Sequence, residues 1–208
     1  MKKINLGSAD TRVEGWLNYD ILPGDAVDIV GDVKYLYMYD KPDVIRASHV
    51  LEHISPSEVP YVLRTWHETL KEGGILIIGV PDFNYIIQEY IRNPKLYLHF
   101  WRRDFDPMLL KNLYGSFYAH RAERGNQPFR HHVVFNEDSL REILEDTGFV
   151  DIKRLIISNI EENDGFNDAM LNPWSLNIRC RKPKRVIAKS TGVAPRLKKT
   201  TNCGVLIQ

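Results

Sequence analysis

The chain has 208 residues, of which 43% are hydrophobic and 26% charged, a composition typical of one globular domain with a sizeable core. No apolar run approaches the roughly 20 residues of a membrane-spanning helix, and the first residues, MKKINLG, lack the long apolar core of a signal peptide. The two cysteines, Cys180 and Cys203, have no CxxC partner, which argues against a disulfide framework or a zinc site and favours a cytoplasmic protein.

The net charge of +1 hides an asymmetry between the two ends of the chain. Residues 179–208 hold nine Lys or Arg and no acidic residue, so the preceding residues carry a net charge of −8. An acidic body is a poor electrostatic match for a polyanion, so a nucleic acid is not expected as the substrate. The basic tail is interpreted as a solvated extension or a linker, with nucleic acid or acidic lipid as alternative contacts.

Short apolar segments predict five strands in the first half of the chain. They are KKINLG (2–7), WLNYDI (16–21), AVDIVGDV (26–33), the segment from Asp43 in PDVIRASHV, and GILIIGVPD (74–82). A helix is predicted before the last of these. Ser55 would cap it, with Pro56 at the first helical position and Glu58 three residues after the cap.

The second half predicts one more helix and two closing strands. The helix should begin at Asn136 and end at Gly148. VDIKRLIIS (150–158) and SLNIRCRK (175–182) should form an antiparallel pair at one end of the sheet. The predicted fold is α/β: a Rossmann-like, mainly parallel, seven-stranded sheet with helices on both faces, over residues 1–182. Residues 183–208 form the basic extension.

Residues 83–130 interrupt this alternation and are predicted to form a helical insertion after the fifth strand. Residues 82–135 contain 12 of the 22 aromatic residues. This concentration indicates a lid or substrate subdomain, in which most rings belong to a core and a few stack on a sugar or flat acceptor.

Three residues at strand ends predict a nucleoside site, because open parallel sheets bind ligands beyond the carboxyl ends of their strands. Gly7 would let a ligand approach the backbone. Asp20 could accept the hydroxyl protons of a ribose, and Asp32 a hydrogen bond from an adenine amino group. Acids at strand ends also serve as turn or cap residues, and that alternative stays open.

The same stretch argues against a dinucleotide. GSADTRVEG has no second glycine at a spacing of two, and only twelve residues separate Gly7 from Asp20. Without a full helix there, the usual anchor of a pyrophosphate is missing. A nucleoside without phosphates, such as S-adenosylmethionine, needs neither feature, so a nicotinamide-dependent oxidoreductase is disfavoured.

Five segments in serial order carry a resemblance to a known family. INLGSAD…GWLNYDI, DIVGDV, DVIRASHVLEHI, LKEGGILIIGVPD and HHVVFNEDSLREILEDTGF resemble the class I S-adenosylmethionine-dependent methyltransferases over about residues 3–155. They look most like the short members that accompany polysaccharide and glycan synthesis in bacteria and some large DNA viruses. The resemblance implies S-adenosylmethionine as cofactor and a cytoplasmic location, in the host cell if the protein is viral. A neighbouring glycosyltransferase, as a domain or a partner, would fit this setting.

The resemblance also implies which residues hold the cofactor. It places the methionine part near Asn5, Leu6, Gly7, Ser48 and His49. It places the ribose hydroxyls on Asp20, and the adenine on Asp32 and the backbone N–H of Val33. The chain departs from the family in two places: the usual GxGxG turn is GSADT, and Asn5 stands where many members have an acid.

The acceptor side offers three candidate catalytic residues. A hydroxyl acceptor must lose its proton, which a general base or a metal can assist. The candidates are His53, His132 and Asp82. Each has a structural alternative: His53 could make a hydrogen bond at a helix start, His132 could lie at the rim of the site, and Asp82 could cap the following helix. His132 is preferred over His131, since neighbours in an extended segment point opposite ways. No HxxxH or DxD spacing supports a metal.

The sequence therefore predicts an O-methyltransferase acting on a sugar hydroxyl, with a small molecule or an oligosaccharide as the acceptor. A methyltransferase of another small-molecule pathway and a non-catalytic binding module are the alternatives.

Overall fold

The structure is a computed structural model that describes residues 1–92 and 130–185. The expectations for most of the aromatic insertion and most of the basic extension lie outside the described residues. In the described part, no helix combines the length and apolarity needed to cross a membrane.

One mixed sheet of seven strands organises the molecule. Its strands are β1 (Lys3–Leu6), β2 (Trp16–Asp20), β3 (Ile29–Val30), β4 (Val44–Ser48), β5 (Ile75–Pro81), β6 (Val150–Leu155) and β7 (Ser175–Arg181). The order across the sheet is β3-β2-β1-β4-β5-β7-β6. The first five strands of that order run parallel, and β7 is antiparallel to both neighbours. The predicted fold class and the antiparallel closing pair are confirmed.

Three helices are described: α1 (Val59–Thr69), α2 (Phe83–Arg92) and α3 (Glu137–Thr147). For α3 the local signals are confirmed. The Asn136 side chain accepts a hydrogen bond from the Ser139 N–H, and Gly148 ends the helix with φ 100°, a left-handed conformation that glycine adopts without steric cost.

The start of α1 differs from the prediction. Residues 56–58 form a turn, and the helix begins at Val59. The Ser55 hydroxyl lies 3.1 Å from that of Ser57, while the Ser55 carbonyl accepts the Glu58 and Val59 N–H groups. The predicted cap at Ser55 is wrong, because its hydroxyl pairs with a side chain rather than with an orphan backbone N–H.

The two faces of the sheet are covered differently. The face that carries Ile4, Ile45 and Ile78 forms the main core with apolar residues of α1 and α3. The opposite face, here called the polar face, carries Asn5, Asn18, Arg46 and Asn177. It is covered by residues 156–174, whose Phe166 packs edge to face on Trp16 with ring centroids 5.1 Å apart.

Between β1 and β2 the chain makes turns and no helix. This confirms the abbreviated first helix. The strand order reverses at β1, which lies between β2 and β4, so ligand-binding residues are expected at the carboxyl ends of these three strands.

Candidate active site

A cavity of about 920 Å³ opens at the carboxyl ends of β1, β2 and β4. This volume is in the range of small-molecule sites. Eight of the eleven predicted site residues line it: Asn5, Gly7, Asp20, Asp32, Val33, Ser48, His49 and His53. The other three, Leu6, Asp82 and His132, are not on its wall. The Leu6 side chain belongs to the main core, so only its backbone could face a ligand.

A glycine is required at position 7 because the surrounding residues leave no room for a side chain. It has φ +65°, and a Cβ at this position would lie 2.5 Å from Cγ2 of Val50. Its N–H donates to the Tyr19 carbonyl at 2.8 Å, which fixes the turn after β1. The glycine therefore lets Val50, which also lines the cavity, close against that turn.

Asp20 holds two loops of the cavity wall together. Its carboxylate accepts the Ala9 N–H at 2.8 Å and the Leu22 N–H at 2.9 Å. A carboxylate offers about four acceptor positions, so Asp20 can shape the wall and still accept the hydroxyl protons of a ribose.

Asp32 combines a cap with a place on the wall. Its side chain accepts the Lys34 N–H at 2.9 Å and caps the short 3-10 turn Val33–Tyr35. The indole N–H of Trp66, on α1, donates to the Val33 carbonyl at 2.9 Å. Asp32 is therefore a cap residue, as the alternative interpretation proposed. The cap orients the segment on which an adenine would lie.

Ser8 supplies a polar atom that suits a ligand. It lines the cavity, its residue exposure is only 3%, and its hydroxyl has no hydrogen-bond partner among the described residues. A buried hydroxyl without a partner is costly, and the carboxylate or ammonium of a methionine would supply one. The polar wall therefore fits S-adenosylmethionine.

The floor of the cavity rests on a buried network that the sequence reading missed. Arg46 is 1% exposed, and its guanidinium lies 2.8 Å from the carboxylate of Asp168 and 4.0 Å from the ring centroid of Phe166. Burial lowers the pKa of Arg46, while Asp168 raises it. Arg46 also donates to the Asn5 Oδ1 atom at 3.4 Å, and Asn5 donates to Asn18 at 3.3 Å. The Asn5 amide is thus partly engaged below the cavity.

A cluster of histidines, which includes the cavity residue His53, surrounds a buried carboxylate. Glu52 is 1% exposed, and the Nδ1 atom of His49 lies 3.0 Å from its Oε1 atom. Burial raises the pKa of Glu52, but His49, His53 and His131 outweigh it and lower the pKa below its usual value. The His53 Nδ1 atom lies 2.9 Å from the Arg130 carbonyl oxygen, and the His53 and His131 rings are 4.8 Å apart.

The other two catalytic candidates lie elsewhere. The Asp82 carboxylate is buried, accepts the Asn84 N–H at 3.1 Å at the start of α2, and pairs with Arg154 at 2.9 Å. The His132 side chain is exposed, although its N–H donates to the Glu52 carbonyl at 2.7 Å. The structure thus places His131, rather than His132, against His53.

Comparisons with known proteins agree with this geometry. A family model described as "Methyltransferase domain" matches residues 11–154. A comparison with curated proteins finds no significant match. Among solved structures, an S-adenosylmethionine-dependent methyltransferase from Archaeoglobus fulgidus is similar at 16% identity and a TM-score of 0.52, covering 87% of this chain and 86% of that one. A Burkholderia thailandensis 1,6-didemethyltoxoflavin N1-methyltransferase, solved with bound 1,6-didemethyltoxoflavin and S-adenosylhomocysteine, is similar at 17% identity and a TM-score of 0.51. That match covers 88% of this chain and 71% of that one.

The chain belongs to the methyltransferase domain family. Its fold is the Rossmann-like fold of the S-adenosylmethionine-dependent methyltransferases, and S-adenosylmethionine, the predicted cofactor, is confirmed.

Proposed function

We propose that this methyltransferase is an O-methyltransferase that acts on a hydroxyl of a sugar or glycan. The observation that carries the proposal is the continuity of the cavity. Asp20, Asp32, Ser48 and His53 all line this one cavity, so a nucleoside bound to the two acids would share its space with the His53 imidazole.

The cofactor is proposed to lie along the carboxyl edge of the sheet. Asp32 and the Val33 N–H hold the adenine, Asp20 holds the ribose hydroxyls, and Ser8 contacts the charged end of the methionine. Ser48 and His49 lie at the end of β4, so this placement brings the sulfonium near β4 and directs its methyl group toward His53.

The histidine cluster favours oxygen as the accepting atom. A neutral amine attacks a methyl group with its own lone pair, whereas a sugar hydroxyl is a weak nucleophile until it loses its proton. His53 donates Nδ1–H to the Arg130 carbonyl, which leaves the lone pair on Nε2 to activate a hydroxyl. Of the three catalytic candidates, the proposal keeps His53 and assigns structural roles to Asp82 and His132.

A screen of acceptors tests this function. Purified protein is incubated with S-adenosylmethionine and a panel of monosaccharides, oligosaccharides, small aromatic amines and nucleotides, and products are identified by mass spectrometry. Methylation of a sugar hydroxyl is expected. Replacing His53 with Ala should lower kcat by about 10²–10⁴-fold, the usual size of a lost acid–base contribution, while His132→Ala should leave kcat within a few fold.

Other outcomes of the screen would contradict the proposal. Methylation of amines alone would show another small-molecule pathway. Cofactor binding without turnover on any acceptor would show a binding module. Equal loss of kcat in the His53→Ala and His132→Ala proteins would remove the special role of His53.

A further inference from the structure

The histidine cluster has the composition of a metal site. Glu52, His53 and His131 each offer a ligand atom, and the three atoms all lie within 4.8 Å of one another. We propose that these three residues bind one divalent first-row metal ion, with Zn²⁺ as the best match, at the acceptor side of the cavity.

The Glu52 carboxylate is built to face a cation. It is 1% exposed, and neither of its oxygens has a hydrogen-bond partner in the described part of the chain. The Nδ1 atom of His49 lies 3.0 Å from Oε1 and compensates part of the buried charge. Oε2 has no such contact among the described residues, and a bound metal ion would compensate the charge that remains.

His53 shows the orientation of a metal ligand. Its Nδ1–H group donates to the Arg130 carbonyl at 2.9 Å. Metal-binding histidines usually donate their second ring N–H to a carbonyl or carboxylate, which fixes the tautomer and directs the other nitrogen at the ion. Here that other nitrogen is Nε2, on a residue that lines the cavity.

Two hydrogen bonds hold the ligand-bearing segments together. The His53 ring N–H donates to the Arg130 carbonyl, and the His132 backbone N–H donates to the Glu52 carbonyl at 2.7 Å. They tie the turn Leu51–His53 to the segment that carries His131, although the two are distant in sequence. Zinc bonds of about 2.0–2.2 Å require the ligand atoms to come closer than they are here, which small side-chain rotations can supply.

The ligand set matches a catalytic rather than a structural ion. Two imidazoles and one carboxylate suit zinc and its neighbours in the first transition row, and three protein ligands leave a coordination position open. An acceptor hydroxyl bound there would lose its proton to solvent more readily. With the ion bound, the Nε2 atom of His53 is a metal ligand, so the ion and not the free imidazole activates the hydroxyl. Its oxygen would then form the bond to the methyl carbon as the methyl–sulfur bond breaks and the sulfur leaves as a neutral thioether. This role rests on the proposed function, whereas metal binding itself does not.

Cobalt(II) provides a direct test, because its visible absorption reports low-coordinate nitrogen and oxygen ligation. Full-length protein freed of metal by chelation is titrated with Co²⁺, and binding of one equivalent with a visible band is expected. His131→Ala and Glu52→Gln should abolish the tight phase. His132→Ala, which changes the adjacent but exposed imidazole, should bind as the unaltered protein does. Zn²⁺ should compete with Co²⁺ and raise the Tm of the unaltered protein and of His132→Ala, but not of the other two variants.

Two results would overturn the proposal: no stoichiometric Co²⁺ binding, or binding that survives both His131→Ala and Glu52→Gln. Circular dichroism and a titration with S-adenosylhomocysteine on each protein show that the variants are folded. The same titration separates the two claims. Metal binding without cofactor binding would refute the proposed function alone, and cofactor binding without metal would refute the metal site alone.

Discussion

At the scale of single residues, two positions control the shape of the cavity. Gly7 is demanded by its φ of +65° and by the closeness of Val50. Arg46 has no charged partner in its own strand, whose other residues are apolar or small. Its partner is Asp168, which lies in a distant segment of the chain. Gly7 shapes the wall through Val50, and Arg46 shapes it through Asp168.

Replacing Gly7 with Ala should destabilise the protein by about 1–3 kcal/mol, the usual cost of inserting a methyl group into a packed site. Gly15→Ala is the matched control. Gly15 also has positive φ, at +82°, but a Cβ there meets nothing within 4 Å, so only the backbone strain remains. Urea unfolding of both variants measures the difference, and adding Val50→Ala to Gly7→Ala should recover part of it. Equal destabilisation of the two glycine variants would show that the contact with Val50 is unimportant.

Replacing Asp168 with Asn should destabilise the protein by about 3 kcal/mol, since it leaves the buried charge of Arg46 without its counterion. The control is Asp40→Asn. Asp40 pairs with Lys2 at 3.3 Å, but its side chain is 75% exposed, and exposed pairs contribute less than about 1 kcal/mol. Equilibrium denaturation compares the two variants. A similar small effect in both would mean that Arg46 does not depend on Asp168.

At the scale of elements, the interface of α1 and α3 contains a titratable group. His67, on α1, packs edge to face on Phe149 just after α3, with ring centroids 4.9 Å apart. Its Nε2 atom is buried and has no partner in the described residues. Burial lowers the pKa of His67 and Lys182 lowers it further, against the opposing effect of Glu68 and Glu72. The folded protein therefore favours the neutral ring.

This interface predicts a pH dependence of stability. The folded pKa of His67 lies below its unfolded value of about 6.5, so the unfolded chain takes up the proton more readily and stability falls as the pH drops below that value. Phenylalanine at position 67 would keep the ring and remove the titration. The free energy of unfolding, measured between about pH 8 and pH 5, should fall less in His67→Phe than in the unaltered protein. Identical pH profiles would contradict the role of His67.

Local sequence signals predicted some elements well and others poorly. Asn136 and Gly148 define α3 because a cap and a left-handed glycine act within a few residues of the helix. The same logic failed at Ser55, whose hydroxyl lies 3.1 Å from that of Ser57 and does not cap a backbone N–H of α1. The turns between Gly7 and Asp20 were predictable, because the span is too short for a helix between two strands.

At the scale of the whole molecule, the two faces of the sheet make different kinds of contact. Its apolar face binds α1 and α3 in the main core. Its polar face holds a network that connects β1 and β4 to the segment covering them. The strand periodicity and the serial motifs predicted the sheet and the ligand edge. They could not predict the partner of Arg46 or the approach of His131 to Glu52, because both contacts join segments that only the complete fold brings together.

The central claim is that this edge of the sheet binds a nucleoside without a phosphate anchor. Calorimetric titration with S-adenosylhomocysteine, with NAD as the comparison and Asp20→Asn as the variant, tests it most directly. We predict affinity on the order of micromolar for S-adenosylhomocysteine, no binding of NAD, and a loss of about 1–3 kcal/mol in the variant because a buried polar partner is left unsatisfied. Absence of S-adenosylhomocysteine binding, preference for NAD, or an unchanged affinity in Asp20→Asn would contradict the account.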